Sequence, residues 1–134
     1  MSERKCTGNT CYNVNYHLVW CPKYRRSVLT GLVPSRLIEL FREIADKWEL
    51  EIITQEVMPD HIHLFVSAPP RYSPAKIAQV FKGTTSRIIR LEFPEIKQHI
   101  RKAGTFWSPG YYVGTAGNVS AEVIRRYIEE CQKS

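Results

Sequence analysis

The chain predicts an α+β fold, a ferredoxin-like or RRM-like β-α-β-β-α-β antiparallel sheet with helices on one face and an appended C-terminal helix. Three observations carry that expectation. Alternating apolar residues over 13–21, 51–58 and 61–68 read as strands with one face in a core. Apolar stripes of helical period, opened by Pro34 and by Ser73-Pro74, read as two long helices. The dipeptide Pro59-Asp60 joins the second and third strands directly, which makes them a hairpin. With 134 residues and no repeat, linker or low-complexity tract, one domain over 1–134 is expected, large enough for a core without disulfide staples.

Each element has its own local reason. The first strand ends at Pro22, and the first helix carries Leu37, Ile38, Phe41, Ile44, Ala45 and Trp48 as its apolar stripe. Pro69-Pro70 stops the third strand. The long second helix is expected to bury Ile77, Val80, Phe81, Thr84, Ile88 and Leu91, to end at Pro94, and to be followed by a short helical piece over 95–100. A final strand over 107–115 follows a Gly/Pro turn. Asn118 or Ser120 can cap the last helix, about 119–132, with Ile124, Tyr127, Ile128 and Cys131 on one stripe.

Composition narrows the function. Hydrophobic content of 43% and charged content of 24% are those of an ordinary globular protein. A net charge of +6 points to a polyanionic partner. No apolar stretch reaches membrane-spanning length and the first residues lead into no signal-peptide core, so a cytoplasmic protein with no membrane partner is expected. Four cysteines (Cys6, Cys11, Cys21, Cys131) form no Cys-x-x-Cys pair, which speaks against a disulfide framework or a zinc ribbon.

The run Asp60-His61-Ile62-His63-Leu64-Phe65-Val66 is the chemically informative one. Side chains alternate across a strand, so both imidazoles share one face while Ile62, Leu64 and Val66 take the other. Two imidazoles one strand step apart are a ready pair of metal ligands, although a pair of surface histidines has the same pattern. A tight turn at Pro59-Asp60 places Glu56 opposite His63 and Met58 opposite His61. Glu56 is then a third ligand or an orienting partner, and Asp60 can orient His61. Basic residues cluster as Lys23, Arg25 and Arg26 around Tyr24, as Lys76, Arg87 and Arg90 on the long helix, and as Lys97, Arg101 and Lys102. The first two groups are the expected DNA-binding set. Tyr127 stands in a helical apolar stripe, where an aromatic ordinarily packs, and six other tyrosines compete for any chemical role.

Four runs in one order, YHLVWCPKYRR (16–26), VMPDHIHL (57–64), FWSPGYY (106–112) and VIRRYI (123–128), resemble the single-tyrosine HUH transposases of the smallest bacterial and archaeal insertion sequences, the IS200-like transposases. The resemblance implies an enzyme that cuts and rejoins single-stranded DNA at hairpin-bearing element ends through a 5′-phosphotyrosine. It implies Tyr127 as nucleophile, His61 and His63 as ligands of Mg²⁺ or Mn²⁺, and no nucleotide or redox cofactor. It also implies a homodimer in which the tyrosine helix of one subunit can complete the site of the other. Members usually carry a glutamine four residues after the tyrosine as third ligand. Here Cys131 stands there and Gln132 follows, so the resemblance assigns the role to Gln132, with Glu130 and Glu56 as chemical alternatives. Two other readings remain open: a domesticated HUH endonuclease that processes genomic palindromes, and a non-catalytic RNA-binding module. The latter needs stacking aromatics on the central strands, where only Phe65 stands.

Overall fold

A computed structural model describes residues 5–7, 10–12, 14–96, 106–115, 125–127 and 129 of the chain. Strands β3 (Val14–Trp20), β4 (Glu51–Met58), β5 (His61–Ala68) and β6 (Tyr112–Gly114) form one sheet in the order β4-β5-β3-β6, every pair antiparallel. That is the expected ferredoxin-like order, because the helix α1 (Val33–Lys47) carries the chain from β3 to β4 and α2 (Pro74–Glu92) carries it from β5 to β6. A small hairpin, β1 (Lys5–Thr7) with β2 (Thr10–Tyr12), precedes the sheet. It was not among the expected elements, although Gly8-Asn9 between two threonines is a two-residue turn signal.

One face of the sheet meets the helices. Tyr16, Leu18, Trp20, Ile62, Leu64 and Val66 are buried there with Leu37, Phe41, Ile44, Ile77 and Phe81. Phe41 meets Trp20 and Phe81 edge-on, with ring centroids 6.0 and 5.8 Å apart, the geometry in which ring edges face the electron-rich faces. In α1 the buried stripe includes Val33 and Leu40, while Ile38 is half-buried and Trp48 lies just beyond the helix end.

The stripe of α2 differs from expectation. Ile77, Ala78, Phe81, Thr85, Ser86 and Ile89 are buried, whereas Val80, Thr84 and Ile88 are only half-buried and Leu91 is 72% exposed. Two polar residues explain the rotation. Trp107 Nε1 donates to Thr85 Oγ1 at 2.9 Å, and the Phe106 amide donates to Ser86 Oγ at 3.1 Å. These bonds need both hydroxyls on the core side, so the helix turns them inward and its apolar edge outward. Replacing Thr85 with valine keeps the volume but leaves the indole N–H without that acceptor. Urea unfolding of Thr85→Val is expected to show a loss of about 1–3 kcal/mol with an unchanged m-value.

The segment expected as one strand over 107–115 is divided. Trp107 forms an isolated antiparallel bridge with Pro22, and only Tyr112–Gly114 pairs with β3. Between them the Lys82 ammonium donates to the carbonyls of Ser108 (2.7 Å) and Gly110 (2.8 Å), which occupies acceptors that a ladder would use. After Pro94 a single 3-10 turn (Pro94–Ile96) is formed, and the rest of the expected piece over 95–100 lies outside the described residues. Arg125–Tyr127 and Glu129 are helical; the remainder of the helix expected over 119–132, with Gln132, Glu130, Cys131 and its caps, also lies outside them. Among the described residues no helix is long and apolar enough to cross a membrane.

Candidate active site

The β4–β5 hairpin turns at Pro59-Asp60 and sets the register anticipated from it: Glu56 pairs with His63, Val57 with Ile62, and Met58 with His61. A register shift between Ile52 and Thr54 falls at the far end of the hairpin and leaves these pairs untouched. Ile62 and Leu64 are fully buried, which fixes the strand's orientation and turns His61 and His63 to the opposite face. Both imidazoles are 18% exposed.

Each imidazole is held by neighbours. His61 Nδ1 lies 3.0 Å from Asp60 Oδ1, which fixes the ring and leaves Nε2 as its ligand-facing nitrogen. His63 Nε2 shares a hydrogen bond of 3.0 Å with His17 Nδ1, while its Nδ1 lies 3.6 Å from Glu56 Oε1. His17 was not singled out in the sequence. It stands on β3 two residues before Val19, the cross-strand partner of His63, so it reaches the site diagonally. Its ring stacks on Phe65 with centroids 4.0 Å apart and planes 9° apart. The signal was available: His17 has the same facing as His63 once β3 and β5 are neighbours.

This face is partly open. His17 (6%), Val19 (0%) and Ser67 (1%) are buried on it, while the β5 start around His61 and His63 keeps access beside the exposed Thr54, Glu56 and Met58 of β4. Burial, then the proximity of His17, holds the His63 imidazole below its ordinary pKa of 6.5 despite the opposing Glu56 carboxylate. His63 is therefore neutral near pH 7, the form that donates a lone pair to a metal.

The donor set suits a divalent cation. It offers two same-face imidazoles, one already oriented by a carboxylate in the manner of metal-bound histidines. Among the described residues no group of three His, Cys, Asp or Glu is arranged to hold a metal. Glu56 Oε1 lies 3.6 Å from His63 Nδ1, within reach of either role anticipated for it, third ligand or orienting partner. A further donor would come from beyond this group, and Gln132 and Glu130 lie outside the described residues.

The described basic residues have different neighbours. Arg25 Nε lies 3.8 Å from Asp60 Oδ2, so the loop with Lys23 and Arg26 abuts the His61 end of the site. Lys76 sits over the Trp48 ring, 5.1 Å from its centroid, about 16 Å along the helix axis from Arg87 at 1.5 Å per residue. Arg90 Nε donates to the Ser86 carbonyl at 3.2 Å. Tyr127 is half-buried on its helical turn, between exposed Arg126 and exposed Glu129.

The fold and the paired-histidine strand define a small antiparallel α+β domain with an accessible histidine site. The IS200-like transposase family model matches residues 10–131, so the chain belongs to that family, whose activity is enzymatic cleavage and rejoining of DNA. The ISDra2 transposase TnpA of Deinococcus radiodurans is 39% identical over 127 residues, covering 95% of this chain and 90% of that protein. The transposase of insertion sequence element IS200 from Salmonella typhimurium is 31% identical over 133 residues, covering 97% and 87%. A crystal structure of a candidate transposase from Deinococcus radiodurans R1 superposes with a TM-score of 0.85 at 35% identity, covering 95% of this chain and 97% of that one. A REP-associated tyrosine transposase bound to a REP hairpin shares the fold, with a TM-score of 0.55 at 15% identity over 92% of this chain and 69% of that one.

Proposed function

We propose that the chain is a metal-dependent transposase that cleaves and rejoins single-stranded DNA at hairpin-bearing element ends through Tyr127. The observation that carries this reading is the oriented pair His61 and His63 on an accessible strand start, in a chain of the IS200-like family. His61 and His63 would hold Mg²⁺ or Mn²⁺, with Gln132 as the further protein donor. Such a cation supplies Lewis acidity to the scissile phosphate.

The residues do the rest. Asp60 keeps the His61 ring in one tautomer and orientation, and His17 orients the His63 ring through Nε2, leaving Nδ1, 3.6 Å from Glu56 Oε1, as the nitrogen that would face a cation. Tyr127 Oη attacks phosphorus and gives its proton to solvent. The bond to the 3′ oxygen breaks, and that oxygen leaves as a 3′-OH. The resulting 5′-phosphotyrosine keeps the energy of the phosphodiester, so a different 3′-OH can attack it, restoring the phenol and joining new ends. No nucleotide or redox cofactor enters this balance. The protein acts as a homodimer, which permits the tyrosine helix of one copy to serve the other.

The test is incubation with single-stranded element ends and Mn²⁺, followed by a denaturing gel. A protein band shifted by the mass of the DNA is expected; its absence with every hairpin-bearing end and cation would reject the reading. A domesticated endonuclease would give the same band, and the gene's flanks decide between the two, since only a mobile element carries its own hairpin ends. The RNA-binding reading loses its stacking residue, because Phe65 is already covered by His17.

His17 yields a separate prediction. His17→Ala is expected to weaken metal affinity and cleavage by about 10- to 100-fold. Because His17 holds the His63 pKa down, the same variant is expected to move the acid limb of the pH–rate profile upward. An unchanged limb and unchanged Mn²⁺ affinity would reduce His17 to a packing residue.

A further inference from the structure

The loop after β3 is a strained segment tied directly to the histidine site. Tyr24 (φ 60) and Arg25 (φ 52) occupy the left-handed region in succession, a conformation that side chains with a Cβ adopt only at a cost. Among the described residues the other such residue, Glu49 (φ 59), follows the end of α1, where a left-handed residue is the usual way to stop a helix. Tyr24 and Arg25 instead lie in the single 3-10 turn Lys23–Arg25, where Tyr24 (φ 60, ψ 17) departs from helical geometry. The conformation is imposed from both sides: the Lys23 amide donates to the Phe106 carbonyl at 3.0 Å, the Arg25 amide to Pro22 at 2.8 Å, and the Leu29 amide to Pro59 at 3.1 Å.

The strain has a consequence for the surface. Tyr24 is 45% exposed, the one exposed aromatic among the described residues, and Lys23 Nζ lies 5.3 Å from its ring centroid. The next residue, Arg25, meets Asp60, whose other oxygen holds His61. A solvent-facing ring flanked by Lys23, Arg25 and Arg26 joins an aromatic surface to cations that suit phosphates. Single-stranded nucleic acid has the complementary chemistry, since its bases are unpaired and each has a face to stack. A duplex hides those faces.

We propose that Tyr24 is a stacking platform for an unpaired base of the strand beside the scissile phosphate, with Lys23 and Arg26 on the neighbouring phosphates. This rests on the single-strand reading given above and names a subsite within it. Glycine at position 24 would relieve the backbone cost and lose the ring, so the chain keeps tyrosine against its own local preference.

The experiment measures binding of the full-length protein to a hairpin with a single-stranded flank and to the same hairpin without one, by fluorescence anisotropy. Tyr24→Ala is expected to weaken the flanked hairpin by about 5- to 150-fold, the range of one base–aromatic stack, and to leave the bare hairpin unchanged. Tyr24→Phe and Tyr24→Trp are expected to bind like wild type. Tyr24→Gly is expected to melt at a higher temperature than Tyr24→Ala yet bind the flank as weakly. Equal binding of the flank by Tyr24→Ala, an equal loss on both DNAs, or a change of oligomeric mass with unchanged DNA affinity overturns the proposal, the last by assigning the ring to a second copy. Covalent capture of the flanked DNA by wild type keeps the two readings apart: capture together with any of those results sinks the stacking alone, and failure of capture sinks the proposed function.

Discussion

Replacing Tyr127 with phenylalanine is expected to abolish covalent capture of single-stranded DNA while hairpin binding stays near the wild-type affinity. The change removes one oxygen and keeps the ring that is half-buried on the helical turn of Arg125–Tyr127. A free phenol has a pKa near ~10, so at neutral pH it attacks a phosphodiester only where the phosphate is polarised and placed in line. No other side chain inherits that placement when the oxygen is gone, and loss of a positioned nucleophile lowers turnover by about 10³-fold or more. The adduct band should fall below detection at any Mn²⁺ concentration, and anisotropy titration of the uncut hairpin should still saturate. Persistence of the band in the phenylalanine variant would move the nucleophile to another of the seven tyrosines.

How far the sequence reached follows from which signals are local. The hairpin register was legible to the residue, because Pro59-Asp60 leaves one tight turn and the alternation at Ile62, Leu64 and Val66 admits one facing. Sheet order followed from the helix between β3 and β4 and the helix between β5 and β6. The stripe of α2 was misread because apolarity alone selects Leu91 and skips Thr85 and Ser86, whose burial depends on Trp107 and Phe106 some twenty residues further on. His17 was passed over for a related reason: its partner lies 46 residues away, and only the β3–β5 pairing joins them. The basic residues of α2 share a helical flank in sequence, but that Lys76 lies over Trp48 and Arg90 donates to its own helix could not be read from helical period. Strain at Tyr24 and Arg25 has no sequence signature, because the bonds that impose it come from Phe106 and Pro59.

Alanine at His61 or His63 is expected to remove cleavage and leave folding largely intact. Both imidazoles are on the accessible start of β5, and the core contacts of that strand belong to Ile62, Leu64 and Val66 on the other face. Loss of either ring halves the paired donor set, so tight Mn²⁺ binding followed by electron paramagnetic resonance should disappear together with the adduct. The pH dependence gives a second reading of the same site. Folded His63 titrates below the ordinary 6.5, so it binds fewer protons than the unfolded chain does just under that pH. His63 should therefore remain available to a cation as pH falls through 6.5, while the stability contribution of this group declines from 6.5 downward until folded His63 is itself protonated. His63→Ala should remove that decline from the wild-type stability profile. A variant that still binds Mn²⁺ tightly and cleaves, or a wild-type acid limb above 6.5, would place the cation somewhere other than on this pair.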